Sequence, residues 1–324
     1  MSRSIHKKVA LLRKTFFYVG WSLFWLLVWD IAVTAEAMLY VKDPIDLPLT
    51  PLTLLCSALV VLISFRNSSA YNRWWEARTL WGAMVNSSRS FGRQVMTLID
   101  DVGVGRNRVK MVLLLRHMAY INALRAHLKG TSCAEAAGPY LARHELSMAE
   151  GSSNFPNDIL NGTAQLLIKE LNQGRLDSIR LARLESTLVD MSNCQGGMER
   201  INNTPLPYPY VYFPRLFTTL FCIIMPMGLV STLGWYTPVV SSVVGFMLLA
   251  LERIGTELQA PFAESQHQIA MDSLCTTIEK NLRSLLQETA AHVAEEDLVE
   301  AIRTVRVEPA APAETSIVKS IANL

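Results

Sequence analysis

Asp30 places a carboxylate about 15 residues into an apolar run that begins near residue 16. A charge at that depth of a membrane is costly, so it is retained where it serves a permeant species or pairs with a polar group on a neighbouring helix. Spacing leaves both readings open. Glu36, further along the same run, lies nearer its outer end. A second group is Ser57, Val61 and Phe65, at i, i+4 and i+8 on one slowly drifting helix face, with Ser64 and Ser68 flanking its lower end. Repeated around an axis by several copies, Val61 and Phe65 would make two apolar rings and Ser57 a ring of hydroxyls. A narrow apolar ring cannot replace an ion's hydration shell and gates by dewetting. The same spacing suits a buried helix whose serines bond the i−4 carbonyl. Directly after this face come Arg66, Arg73, Trp74, Trp75 and Glu76. They suit either an interfacial belt or the point where a pore helix leaves the membrane.

Enzyme and metal chemistry lack motifs. His117, His127, His144, His267 and His292 show no HExxH and no i,i+4 pair that would set two imidazoles on one helix face. GlyValGly at 103–105 is a turn rather than a phosphate loop, and there is no GxSxG elbow. Cys56, Cys133, Cys194, Cys222 and Cys275 are scattered without short spacings, which argues for reduced thiols rather than disulfides or zinc. The sequence therefore predicts no enzyme, no metal and no cofactor.

Positioning these residues requires long apolar helices. The 324 residues are 50% hydrophobic and 18% charged, with mean hydropathy +0.23 and net charge +2. That composition points to a membrane protein and excludes a nucleic-acid partner. Four segments are long and apolar enough to span: residues 16–40, 49–69, 215–233 and 239–253. They form two hairpins, 16–70 and 214–254. Between them, 71–213 is a helical body with helices predicted at 73–98, 106–129, 158–171 and 176–191. Prolines 205, 207 and 209 predict an extended approach to the third span over 204–214. A helix at 261–289 falls within segment 255–290, and a partly flexible tail occupies 291–324, with a short helix at 295–305. No alternating pattern calls for strands, so the fold class is all-α. Arg3, Lys7, Lys8, Arg13 and Lys14 fill the segment 1–15, and Lys/Arg also crowd the end of the second span. The 41–48 loop has one Lys against two Asp, and the 234–238 turn is uncharged. Both termini and the body are thus expected in the cytoplasm.

The run 65–82, FRNSSAYNRWWEARTLWG, resembles the signature after the second transmembrane helix of bestrophins, specifically their bacterial branch. NCQGGMERI at 193–201, TPLPY at 204–208 and ELQAPF at 257–262 are similar to three further blocks of that family, in the same order. The resemblance covers about residues 10–290. It implies a homopentameric ion channel in the bacterial inner membrane, with one axial pore lined by the second transmembrane helix. It places the hydrophobic neck on Ser57, Val61 and Phe65, and a lower constriction at the cytoplasmic exit on Ile179. Spacing alone reads Ile179 as a core residue.

Two positions depart from the family pattern. The first neck position is usually apolar, and here it is Ser57. Eukaryotic members follow ProPhe with consecutive acids that clasp calcium, whereas residues 263–268 read AESQHQ, with one acid. No calcium activation is expected. The permeant species are expected to be small monovalent ions, with cations favoured by resemblance to the bacterial branch and anions, chloride among them, the close second. The alternative function is a membrane-anchored helical scaffold or sensor without a conducting pore.

Overall fold

A computed structural model describes residues 19–40, 48–100, 106–147, 151–265 and 267–290. Expectations for the basic segment 1–15, most of the 41–48 loop, the turn at 103–105 and the tail from 291 lie outside the described residues. No strand occurs among the described residues. The chain divides into two units, residues 1–75 with 205–268, and residues 76–204 with 269–324. Helix α2 (Leu49–Leu98) runs through the first division without interruption.

In the first unit, α1 (Trp21–Leu39) packs on α8 (Tyr208–Leu233) and α9 (Thr237–Leu258), and α8 packs on α9. Leu23 and Leu26 of α1, Leu59 and Ile63 of α2, Phe221 of α8 and Leu248 of α9 share one apolar core. Gly245 allows α9 to approach α1 closely, since a Cβ there would stand 2.3 Å from Leu26 Cδ2. Among the described residues, three stretches are long and apolar enough to cross a membrane: Trp21–Leu39, Leu49–Leu98 and Tyr208–Leu258, the last comprising α8, a 3-10 turn and α9.

The prolines at 204–214 act differently from the expectation. Helix α8 already begins at Tyr208, with Pro207 as its N-cap. Pro209 falls in the first turn, where the missing N–H would have had no helical partner in any case. Pro214 and Pro226 lie inside the helix. The fourth apolar helix is also longer than its expected 239–253.

The second unit is built around α3 (Arg106–Lys129), which contacts α4 (Cys133–Ala137), α6 (Phe155–Asn172), α7 (Ser178–Asn203) and α10 (Met271–Ala290). A short α5 (Arg143–Ser147) precedes α6. From Lys110 to Leu124 every residue of α3 is buried, including Arg116, His117 and Asn122. By residue type these polar side chains would mark a solvent face, and the fold buries them instead. Helix α7 continues past residue 191 through Gly196 and Gly197. A Cβ at Gly197 would come within 2.9 Å of Leu80, so this glycine serves close packing on α2 and does not end the helix. The helix expected over 261–289 begins only at Met271, and 261–265 is a series of turns.

Candidate permeation site

Helix α2 carries two stripes on opposite sides. Leu52, Leu59, Ile63, Arg66 and Ala70 are buried at three-, four- and seven-residue intervals. At 100° per residue, Ser57, Val61 and Phe65 centre on the other side. All three are exposed on the single chain, Val61 to 53% and Phe65 to 68%, whereas Ile63 between them is 1% exposed. The serine hydroxyls bond within the helix: Ser57 to Thr53 O at 2.8 Å, Ser64 to Val60 O at 2.8 Å and Ser69 to Phe65 O at 3.0 Å. They need no partner elsewhere, and the face from 57 to 65 is uncharged.

Immediately below, α2 is stitched to the end of α9. The buried Arg66 guanidinium donates to Glu252 O at 3.0 Å and to Thr256 Oγ1 at 2.6 Å, and its Nη1 lies 3.3 Å from Glu252 Oε1. Asn67 Nδ2 donates to Leu251 O at 2.9 Å. Two side chains reach main-chain carbonyls because Gly255 lets the helices approach; a Cβ there would lie 2.0 Å from Asn67 Oδ1. Arg73 Nε donates to Gln259 O at 2.7 Å, and Trp74 Nε1 to His267 O at 2.9 Å. His267 Nδ1 in turn lies 2.7 Å from Glu257 Oε2. Tyr71 stacks on Trp74 and Trp75, with ring centroids 6.1 and 6.3 Å apart. Of the predicted exit residues, Arg66, Arg73 and Trp74 thus bind the α9 end and the segment that follows it. Glu76 belongs to the second unit, where Arg200 pairs with it. Breaking a buried ion pair from one side costs several kcal/mol, so the Arg66 contact fixes the register of α2 on α9.

Sequence reasoning overlooked the receiving side, Glu252, Gly255 and Thr256. Its signal was present: ERIGTE at 252–257 sets two acids, a glycine and a hydroxyl at the end of an apolar run.

Asp30 lies fully buried, and the pairing alternative describes its surroundings. Ser241 and Ser242 of α9 donate to its two carboxylate oxygens at 2.9 and 3.1 Å, and Thr34 Oγ1 donates to its main-chain oxygen at 2.7 Å. Ile179, expected at the lower constriction, is the second residue of α7 and is 82% exposed. It is no core residue of the single chain. Asp177 caps that helix by accepting from Arg180 N at 2.8 Å, which fixes where the exposed isoleucine stands.

The second unit holds two buried groups with displaced titration. Burial pulls the His117 imidazole from 6.5 down to about 3, and pushes the Cys275 thiol up to about 12. Both belong to the core around α3 and carry no candidate chemistry. Among the described residues, no three His, Cys, Asp or Glu side chains converge on a metal-sized site.

Residues 5–284 match the family model described as bacterial/fungal bestrophin protein. A protein of Mesorhizobium japonicum, named voltage-dependent anion channel-forming protein mll4386, is 30% identical over 266 residues, covering 82% of this chain and 84% of its own length. The voltage-dependent anion channel-forming protein YneE of Salmonella typhi is 31% identical over 259 residues, covering 80% of this chain and 84% of that one. Among solved structures, a bacterial bestrophin homologue from Klebsiella pneumoniae superimposes with a TM-score of 0.76 at 26% identity, over 82% of this chain and 97% of that chain.

Proposed function

For a chain that belongs to the bacterial and fungal bestrophins, a family of membrane ion channels rather than enzymes, we propose a passive homopentameric channel for small monovalent ions in the bacterial inner membrane. Its four apolar helices α1, the first part of α2, α8 and α9 cross the bilayer as two hairpins, with both termini and the helical body cytoplasmic. Ser57, Val61 and Phe65 of each copy surround the axis as the neck, and Ile179 forms the lower apolar ring. One observation carries this reading: an uncharged, largely apolar face of α2 is left exposed by the single chain, opposite the stripe that holds the helix to its own core. Such a face is stable when neighbouring copies enclose it, and an apolar ring of that kind controls ion passage by its hydration. The exit contacts from Arg66 to Trp74 couple the neck to the end of α9. Calcium does not gate the channel, because residues 263–268 offer a single carboxylate, Glu264.

Cations are the favoured permeant ion, by likeness to the bacterial branch. A second reading, anion conduction, is supported by the names of the Mesorhizobium and Salmonella relatives. Purified protein reconstituted in planar bilayers tests the proposal. Unitary currents are expected, with a reversal potential in asymmetric NaCl that gives the sign of the ion. No current under any salt gradient would refute the channel. Cross-linking distinguishes the scaffold alternative: a ladder reaching five copies is expected, and one that stops at two or three favours the scaffold.

A further inference from the structure

A cavity of about 720 Å³ opens between α1, α8 and α9. Its wall is divided by chemistry. Trp25, Leu26 and Trp29 of α1 with Ile223 of α8 and Leu249 of α9 make most of it apolar, while Arg215 of α8 and Arg253 of α9 stand at its polar end. Trp29 Nε1 donates to Ile223 O at 2.9 Å, which bridges α1 to α8 and fixes the indole as a wall. The acid on the lining, Glu252, is already engaged by the buried Arg66 and by Thr256 Oγ1 at 3.0 Å. Arg253 lies 3.2 Å from Glu257. Arg215 has no carboxylate partner among the described residues. The polar end is therefore left with about one uncompensated positive charge beside an apolar slot.

We propose that this cavity binds the headgroup of an anionic phospholipid, with an acyl chain lying along Trp25 and Trp29. A phosphodiester carries one negative charge and acceptor oxygens for the Arg215 fork. Its glycerol and chains fit the apolar wall, where a free phosphate would leave Trp25, Leu26 and Leu249 unmatched. Depth agrees as well. Arg215 and Glu252 bound the charge-free run 216–251 that holds the apolar parts of α8 and α9, so the arginine end of the cavity lies where that run leaves off. Indoles beside arginines are the side chains that settle at headgroup level. The exposed Leu220 and Ile223 of α8 continue the apolar surface away from the arginine end.

This inference rests on the reading that α1, α8 and α9 cross a bilayer, and its test needs no current. The full chain in detergent is titrated with dioleoylphosphatidylglycerol or dioleoylphosphatidylcholine and observed by native mass spectrometry. One phosphatidylglycerol per chain is expected at about tenfold lower concentration than phosphatidylcholine, the scale of one charge-assisted contact. Arg215→Gln, at an exposed position, abolishes that preference, and Thr219→Trp, which fills the cavity from α8, removes retention of both lipids. Equal retention of the two lipids, or a preference that survives Arg215→Gln, overturns the proposal. A chain that conducts ions yet binds both lipids alike loses this site and keeps its channel.

Discussion

The first half of α2 and the whole of α3 invert the usual relation between polarity and burial. From Leu49 to Phe65, α2 has no charged residue, and yet Leu54, Val61 and Phe65 are exposed on the single chain. Helix α3 carries Lys110, Arg116, His117 and Asn122 and buries all four. Lys110, Arg116 and Asn122 find partners inside the chain, and His117 is buried as a neutral ring. Lys110 Nζ donates to Met96 O at 3.1 Å, Arg116 pairs with Glu145, and Asn122 Nδ2 donates to Glu279 Oε1 at 2.5 Å. The exposed apolar face of α2 finds none among the described residues. What α3 obtains from its own chain, that face of α2 must obtain from lipid or from other copies.

The contrast can be broken most strongly at Arg116. Arg116→Met leaves the largely buried Glu145 without its cation, and a loss of about 3–5 kcal/mol is expected in denaturant unfolding of the solubilised protein. Adding Glu145→Gln should return part of it. If Arg116→Met alone is neutral, the buried charges of α3 are not held in the way described.

Within α2 the two stripes are compared directly by Ile63→Ala and Val61→Ala, two residues apart. Ile63→Ala empties core volume and should cost about 2–4 kcal/mol. Val61→Ala should change stability by about 0.5 kcal/mol or less and instead alter single-channel conductance, as should Phe65→Ala and Ile179→Ala. Unchanged currents in all three exposed-site variants would remove the apolar rings from the mechanism.

A smaller effect concerns His117, kept neutral by burial beside Phe91 and Tyr120. Its folded pKa, about 3, is lower than its value of 6.5 in the unfolded chain. The unfolded state therefore takes up a proton first, and stability falls as pH drops from about 6.5 towards about 3. Between pH 7 and pH 5 the loss from this residue is about 2 kcal/mol. His117→Leu should flatten the dependence of melting temperature on pH over that window, and an unaltered slope would count against a neutral imidazole.

The smallest effect is at the surface of the same unit. Lys129 Nζ donates to Asp272 at 2.8 Å, with Arg125 at 3.2 Å, and holds that carboxyl below the usual carboxylate range. The contribution is present above pH 3.8 and is lost as pH falls through the depressed value. Because Asp272 is exposed, Lys129→Ala should cost under about 1 kcal/mol in melts at low salt, and less at high salt.

Much of this architecture was legible. Helix α3 ends where Gly130 follows its last apolar turn, and its expected bounds coincide with those observed. The span expected at 49–69 and the helix expected at 73–98 join in one helix, and no proline lies between Pro51 and Leu98 to break it. Misreadings arose where one residue type serves two physical roles. Helix α7 runs past its expected end at 191, with Gly197 packed against Leu80, and Pro209 sits in a first turn instead of forbidding one. Ile179 reads as core by spacing and stands in the open on the single chain. At the candidate site, spacing gave the face of Ser57, Val61 and Phe65. The partners of Arg66, almost two hundred residues away in sequence, were out of its reach.

Periodicity and composition by themselves determined an all-helical chain with apolar helices of membrane length, and set Val61 and Phe65 on one face, because side-chain direction along a helix is fixed by 3.6 residues per turn. Only tertiary structure decided which sides of those helices are used up. Gly245 and Gly255 bring α9 against α1 and α2, Arg66 and Asn67 are then held by carbonyls of α9, and Asp30 by two serines. Such contacts depend on how closely two backbones approach, a distance that no local pattern in either helix encodes.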